Sequence, residues 1–519
     1  MENITITNVF QFFKDNPKLI ESQWLILGKG PSLNKINQYN LENFKIVSLN
    51  DSLIVNKNIT LGHFIDLDAF ERSSKEIALR KDIYILMPWY PHVDSRPGVN
   101  NLIDLIKKNS ILTQLFNEKR LLWYDLMTSQ IRTGKFPSIN AVYFSAEAVF
   151  DIFRKVGIRD IKSLGIDGGT GYSDLLQNVK KESHLVNKQQ TFSKQFSKLA
   201  EIIFQSGIKH TQLYDNSPIK VFIGCTKKEL LPAKVLKYSI ERHSHISVDV
   251  KFLFKSNIVI PEVTKKENQA RTPFSFQRFL IPEISNYSGK AIYLDADMLV
   301  FKNIIDLWNI NFNDANVLLC KDRDYRKPQL SVMILDCSNL KWNINDIVSQ
   351  LNNNELTYDQ LMHDFAIADY DMRIDESWNS IDEYSHETSL LHYTDMTKQP
   401  WLSTANHLGY KWMEVLFDAL DNNSISIDFI HSEIDKGHVR PSLLYQINNR
   451  LSNSLLLTRS VLRLDKNFKP IHGHNNNNVN PWKSLPRWIL SKVTDKYYNS
   501  FLYKIKIRAE KLYKDVHKD

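Results

Sequence analysis

The chain has 519 residues, 43% of them hydrophobic and 24% charged, which is the balance of a folded protein too long for one core. Its net charge is +8, yet the stretch from Trp482 to Asp519, with ten Lys or Arg and four Asp or Glu, carries +6 of it. The remainder is close to neutral, which argues against a nucleic-acid partner. No window approaches the roughly 18 consecutive apolar residues that cross a bilayer. Residues Met1 to Lys14 lack a basic region followed by an apolar run, so a cytoplasmic location is expected, with the inner face of the membrane as a variant of it. Cys225, Cys320 and Cys337 are too few and too scattered for a disulfide framework or a zinc site, and buried thiols are expected.

In chain order, Trp24 to Leu27 reads as an apolar strand leading into Gly28-Lys29-Gly30-Pro31-Ser32 and a helix. Further strands are expected at Lys45 to Leu49, Ile83 to Met87 and Ile161 to Ile166, with a helix at Ser145 to Val156 before the last. Asn216-Ser217-Pro218 is a turn-forming linker. The pattern then restarts: Lys220 to Ile223 runs into Gly224-Cys225-Thr226 and a helix through Ala233 to Arg242. Strands follow at Val248 to Phe254, Ala291 to Leu294, Val317 to Leu319 and Ser331 to Asp336. Strands alternating with helices of this length predict an α/β protein with parallel sheets covered on both faces, in two Rossmann-like domains. The expected division is 1–215, 216–450, and 451–519 as linker and basic helical tail, with Asn475 to Asn478 before the tail.

In the first half, Pro31 occupies the favoured first helical position, and a glycine turn of this kind lets backbone amides approach a phosphate. A tight strand-to-helix turn needs glycine in any case. Together with Ser48-Leu49-Asn50-Asp51, Ser145-Ala146-Glu147 and Gly165-Ile166-Asp167-Gly168-Gly169, the turn resembles the bacterial sialyltransferase-like group (family 42) and related surface-polysaccharide domains. That resemblance implies contacts to a cytidine nucleotide sugar from Gly28, Gly30, Pro31, Ser32, Asn50, Asp167 and Gly168. His63 and His92 are nearby, and neither is assigned a catalytic role. Three readings stay open for this half: a second transferase, which is preferred, a nucleotide-binding remnant, or a scaffold that positions the acceptor.

In the second half, the strand Ala291 to Leu294 ends directly in Asp295-Ala296-Asp297. Strand alternation places residues two apart on one side, so both carboxylates can converge. Two carboxylates at a strand's carboxyl end suit a hard divalent cation, though most such triplets are solvated turns. The apolar runs on either side favour the cation, because charged pairs are seldom set in such surroundings without a partner. With Ser275 to Phe279 and Leu391-His392-Tyr393-Thr394-Asp395-Met396-Thr397-Lys398-Gln399-Pro400-Trp401, the triplet resembles the retaining glycosyltransferases of family 8, over roughly Ile219 to Trp401. The resemblance implies a GT-A fold for this half and Mn2+ or Mg2+ held by Asp295, Asp297 and His392. It implies a nucleotide sugar, UDP-galactose or UDP-glucose by preference, held by Gly224, Cys225, Thr226, Arg278, Asp295, Lys398 and Trp401. Asp359 and Gln360, within Thr357-Tyr358-Asp359-Gln360, would lie beside the anomeric carbon. Three departures stand out: Asp395 replaces a usual glycine, Gln399 is inserted before Pro400, and Gln329 to Val332 stands where an Asn-Ala-Gly turn is usual.

Between Trp482 and Tyr513, aromatic and basic residues alternate, so the tail suits an anionic membrane surface or packing on its own domain. The expectation is a hexosyltransferase acting on a glycan or lipid-linked acceptor in surface polysaccharide synthesis, bifunctional if the first half is active. The alternative is a non-catalytic nucleotide- or glycan-binding first module that positions the acceptor for a single transferase in the second half.

Overall fold

A computed structural model describes residues 5–471 except 57, 94–95, 128–137, 143, 177–190, 214–217 and 322–327. The linker residues Asn216 and Ser217, the Asn475 to Asn478 run and the basic tail lie outside the described residues. The chain divides into two compact units, one formed by 1–218 with 242–247 and the other by 219–241 with 248–519.

The first unit is built on a sheet whose strands are β1 (Thr7–Asn8), β2 (Trp24–Leu27), β3 (Lys45–Leu49), β4 (Leu61–His63), β5 (Tyr84–Pro88), β6 (Leu121–Leu126), β7 (Ser138–Ile139), β8 (Asp160–Leu164) and β9 (Lys209–Gln212). Their order is β1-β6-β5-β4-β3-β2-β8-β9, with β7 beside β6, and every pairing is parallel. Strands such as Trp24-Leu25-Ile26-Leu27 are buried along their whole length because both faces of the sheet are covered. The helix at Ser145–Val156 ends on Gly157 at φ +94°, the left-handed stop that glycine adopts without strain.

The second unit holds two sheets. The larger contains β10 (Ile219–Gly224), β11 (Val248–Phe252), β12 (Lys290–Asp295), β14 (Val317–Cys320), β15 (Gln329–Asp336) and β16 (Tyr370–Ile374), and the smaller contains β13 (Met298–Val300), β17 (Ser380–Ile381) and β18 (Leu390–His392). The larger sheet runs β11-β10-β12-β15-β14-β16. It is mixed where parallel pairing was expected, since β15 lies antiparallel to both β12 and β14. The reason is the connection: fewer than ten residues separate β14 from β15, and a parallel crossover needs about a dozen or more.

The smaller sheet is what assembles the site. After Asp295 the chain bends out of the larger sheet and re-enters extended structure as β13, which pairs antiparallel with β18 so that Met298 faces His392. The strand that ends on one carboxylate therefore feeds the sheet that delivers the histidine. Alternate apolar residues of β12 and β15 (Ala291, Tyr293, Met333 and Leu335) pack with Phe279, Trp342 and Phe365 into one core on a face of the larger sheet.

Candidate active site

Asp295, Asp297 and His392 each offer one ligand atom within 4.8 Å of the others. The convergence does not come from strand alternation, because β12 ends at Asp295 and Asp297 sits past the bend. It comes from the change of sheet, and Tyr393 N donates to Asp297 O at 2.9 Å to fix the crossing. His392 Nε2 lies 3.2 Å from Asp297 Oδ1. That oxygen is buried and has no hydrogen-bond partner among the described residues. The two atoms are at ion-pair distance, and together with Asp295 they form a group that could hold a metal ion. The donor set, two carboxylates and one imidazole, suits Mn2+ or Mg2+ completed by oxygen ligands from elsewhere.

Each of the three has a supporting partner, the outer contacts by which metal sites fix their ligands. Tyr293 donates its hydroxyl hydrogen to Asp295 Oδ1 at 2.5 Å, and Arg278 Nη2 reaches the same oxygen at 3.3 Å. Gln399 Nε2 donates to Asp297 Oδ2 at 2.8 Å. Asn379 Oδ1 lies 2.9 Å from His392 Nδ1. With Nδ1 donating to that oxygen, Nε2 presents its lone pair.

A cavity of about 260 Å³ opens on this cluster, lined among others by Glu229, Ser275, Arg278, Asp295, Asp297, His392, Gln399 and Trp401. Burial raises the Asp295 carboxyl above its ordinary value, with Arg278 opposing and Asp297 reinforcing the shift. Burial likewise raises Glu229, which Thr226 partly offsets by hydrogen bonding. His392 is buried, which disfavours its charge, but the carboxylates of Asp297 and Asp295 outweigh this and hold it above its usual value. Three acids thus crowd around one guanidinium and one imidazole, a concentration of negative charge that favours a cation.

Of the seven expected nucleotide-sugar ligands, Arg278, Asp295 and Trp401 line this cavity, and Gly224, Cys225, Thr226 and Lys398 do not. Gly224 ends β10 in register with Asp295, and a Cβ there would collide with the Tyr293 hydroxyl. Cys225 is buried and exchanges two backbone hydrogen bonds with the Gln277 amide. Thr226 caps the turn that carries Glu229. Arg278 is fixed by Ser275 O, Leu330 O, Asp295 and the face of Tyr293. Trp401 lines the cavity, with its indole N–H buried and without a partner among the described residues.

Lys398, Asp359 and Gln360 are not among the residues lining it. Lys398 pairs with Asp395 at 2.6 Å. Asp359 is 65% exposed and lies between Arg271 and His363. Gln360 closes the N-terminus of the helix Tyr358–Met362 by accepting from Thr357 N. Glu229, Asn379 and Gln399 were not singled out as site residues from the sequence. Only the insertion of Gln399 flagged any of them in advance.

In the first unit the glycine turn is closed by its own chain. Gly28 N donates to Leu164 O and Gly30 N to Gly165 O, both at 2.8 Å, and Ser32 N donates to Asp167 Oδ2 at 2.6 Å. Ser32 Oγ accepts from Gly165 N at 2.7 Å. Pro31 opens a 3₁₀ segment, Pro31–Gln38, where an α-helix was expected. Asn50 is buried at φ +51°, and Gly168 at φ +73° packs against Phe196 and Ser193.

Residues 190–358 match the family model described as Glycosyl transferase family 8. Protein CDI of Arabidopsis thaliana is 29% identical over 121 residues, which is 23% of this chain, and the chain spans about half of that protein (46%). Among solved structures, an active-site mutant of LgtC aligns at a TM-score of 0.30 and 13% identity, over 38% of this chain and 96% of that one. The apo bifunctional glycosyltransferase WbbM aligns at 0.30 and 12% identity, over 59% and 61%. The glycosyltransferase GlyE of Streptococcus pneumoniae aligns at 0.28 and 16% identity, over 38% and 60%. By the family-model match alone, the second unit up to residue 358 resembles glycosyltransferase family 8, and the match begins at residue 190 in the first unit. The family match ends before His392, so the histidine and the loop after it are placed by geometry.

Proposed function

We propose that the second unit is a divalent-cation-dependent glycosyltransferase that moves a hexose from a nucleotide sugar, UDP-galactose or UDP-glucose, to a glycan or lipid-linked acceptor. The observation that carries this reading is the convergence of Asp295, Asp297 and His392 on one point, the two carboxylates within the stretch that matches the family 8 model and the histidine beyond it. When bound, the cation supplies Lewis-acid stabilisation of the charge on a leaving diphosphate. The chain's own residues do the rest. Asp295 is held by Tyr293 and Arg278, and Asp297 by Gln399, so both keep their direction before any ligand arrives. Arg278 places a fixed guanidinium at the cavity wall, where it offsets negative charge without needing to move. Retention of configuration follows from the family resemblance and completes the proposal, as does a place in surface polysaccharide synthesis.

For the first unit we favour the non-catalytic reading, a module that positions the acceptor. The amides of Gly28, Gly30 and Ser32, which a phosphate would need, are already bonded within the chain. Asp167 places a carboxylate where the phosphate's charge would lie.

The test is a screen of nucleotide sugars for Mn2+-dependent hydrolysis by the whole chain. We expect one UDP-hexose to be turned over, and Asp297→Asn to abolish the cation-dependent part while the circular dichroism spectrum is unchanged. Undiminished turnover by that variant would remove the assignment.

A further inference from the structure

The loop after β18 departs from the family pattern at Asp395 and at the inserted Gln399, and in the structure the two departures form one arrangement. Asp395 Oδ1 accepts from Thr397 N at 3.1 Å and Thr397 Oγ1 at 2.5 Å, and its Oδ2 accepts from Lys398 Nζ at 2.6 Å. Lys398 N also donates to Asp395 O at 2.8 Å. The loop is drawn into a tight turn with the Lys398 side chain half exposed. One residue further on, Gln399 is 2% exposed and lines the cavity. Its Nε2 donates to Asp297 Oδ2 at 2.8 Å and to Tyr393 O at 3.2 Å. Its backbone carbonyl accepts from Leu402 N and Ser403 N, both at 2.9 Å, so the residue is pinned at both ends.

We propose that Gln399 is the positioning residue for Asp297, and that Asp395 keeps Lys398 out of the cavity as a strut of the loop. The inference rests on the cation site proposed above. Asp297 lies in the bend, where Tyr393 N ties its backbone carbonyl, and its carboxylate takes its direction from a side-chain donor. An amide suits that role better than an ammonium, because it orients the carboxylate without neutralising the charge a cation must find there. With Oδ2 held by Gln399, Oδ1 is left facing His392 Nε2. The glycine-to-Asp395 change and the insertion are then one coupled alteration: the first turns Lys398 outward, and the second brings Gln399 in.

The experiment titrates the whole chain with Mn2+ alone, followed by calorimetry and by loss of the free-ion electron paramagnetic resonance signal, and then with UDP in saturating Mn2+. Gln399→Met keeps the volume and removes the donor, and it should bind Mn2+ about tenfold or more weakly. Lys398→Met should bind both Mn2+ and UDP within about twofold of the wild type. If Gln399→Met does not fold, Gln399→Asn, which is too short to reach Asp297, is judged by the same criterion. Mn2+ affinity of the folded Gln399 variant within about twofold of wild type would overturn the inference alone, as would a tenfold loss of UDP affinity in Lys398→Met. Absence of Mn2+ binding by the wild-type chain would overturn the proposed function and this inference with it.

Discussion

Asn379 Oδ1 and His392 Nδ1 lie 2.9 Å apart, both buried, so the ring is fixed with Nε2 turned toward Asp297. Asn379 Nδ2 in turn donates to Ser331 Oγ at 3.4 Å, which ties the histidine to β15 of the larger sheet. Removing the acceptor leaves the imidazole free to rotate or to change tautomer. Asn379→Ala should therefore weaken Mn2+ binding by about 10- to 100-fold. Asn379→Asp, which keeps an acceptor in place, should recover most of that loss. Equal affinity in Asn379→Ala and wild type would show that the ring is held by packing alone.

Tyr293 stands between Gly224 and Asp295, and this makes Gly224 a position that only glycine fits. A Cβ there would collide with the Tyr293 hydroxyl and lie 2.9 Å from its Cζ. Tyr293 is fully buried and has no room to withdraw. Gly224→Ala should cost about 1–3 kcal/mol in urea unfolding and weaken Mn2+ binding by displacing the donor to Asp295. Tyr293→Phe in the same chain should relieve part of the strain. Additive losses in the double variant would mean that the two residues do not meet as described.

The elements legible in the sequence are those whose signal is local. Trp24 to Leu27 and Lys45 to Leu49 are apolar runs bounded by turn residues, and they are strands at those limits. The cation cluster was legible through Asp295, set at the end of such a run. What was not legible depends on chain crossings. Asn379 reaches His392 only because β17 and β18 pair, and Glu229 reaches the cavity only because β10 lies beside β12. Asp359, Gln360 and Lys398 carry the right residue types, yet each is engaged locally: Asp359 by Arg271, Gln360 by its helix start, Lys398 by Asp395. Residue order cannot reveal such local competition.

In the first unit, the approach of β2 to β8 predicts a steric limit at Gly28. A Cβ on Gly28 would collide with Gly165 O and lie 2.7 Å from Gly165 C. Gly165 is itself at φ +79° and cannot easily move aside. Gly28→Ala should destabilise the first unfolding transition by about 1–3 kcal/mol. Addition of cytidine or uridine diphosphate should not restore it, because the turn's amides serve the chain. Rescue by either nucleotide would instead favour a nucleotide site in this unit.

His63 provides a pH test that does not involve the cation cluster. Burial lowers its pKa from 6.5 to about 3. Its Nε2 lies 3.0 Å from the Tyr124 hydroxyl, and its Nδ1 has no hydrogen-bond partner among the described residues. The folded state therefore keeps the ring neutral, while the unfolded chain takes up a proton as pH falls below 6.5. The unfolded state binds more protons between pH 6.5 and about 3, so stability falls with falling pH across that window, by at most about 1.4 kcal/mol per pH unit from this residue. Above pH 6.5 the residue contributes no slope. His63→Phe retains the ring stacked on Tyr124 and removes the titration. Between pH 7 and pH 5 the variant should lose about 2 kcal/mol less stability than the wild type, measured by urea unfolding at each pH. Parallel pH profiles for the two proteins would mean that His63 is protonated in the folded chain and that its burial does not hold it neutral.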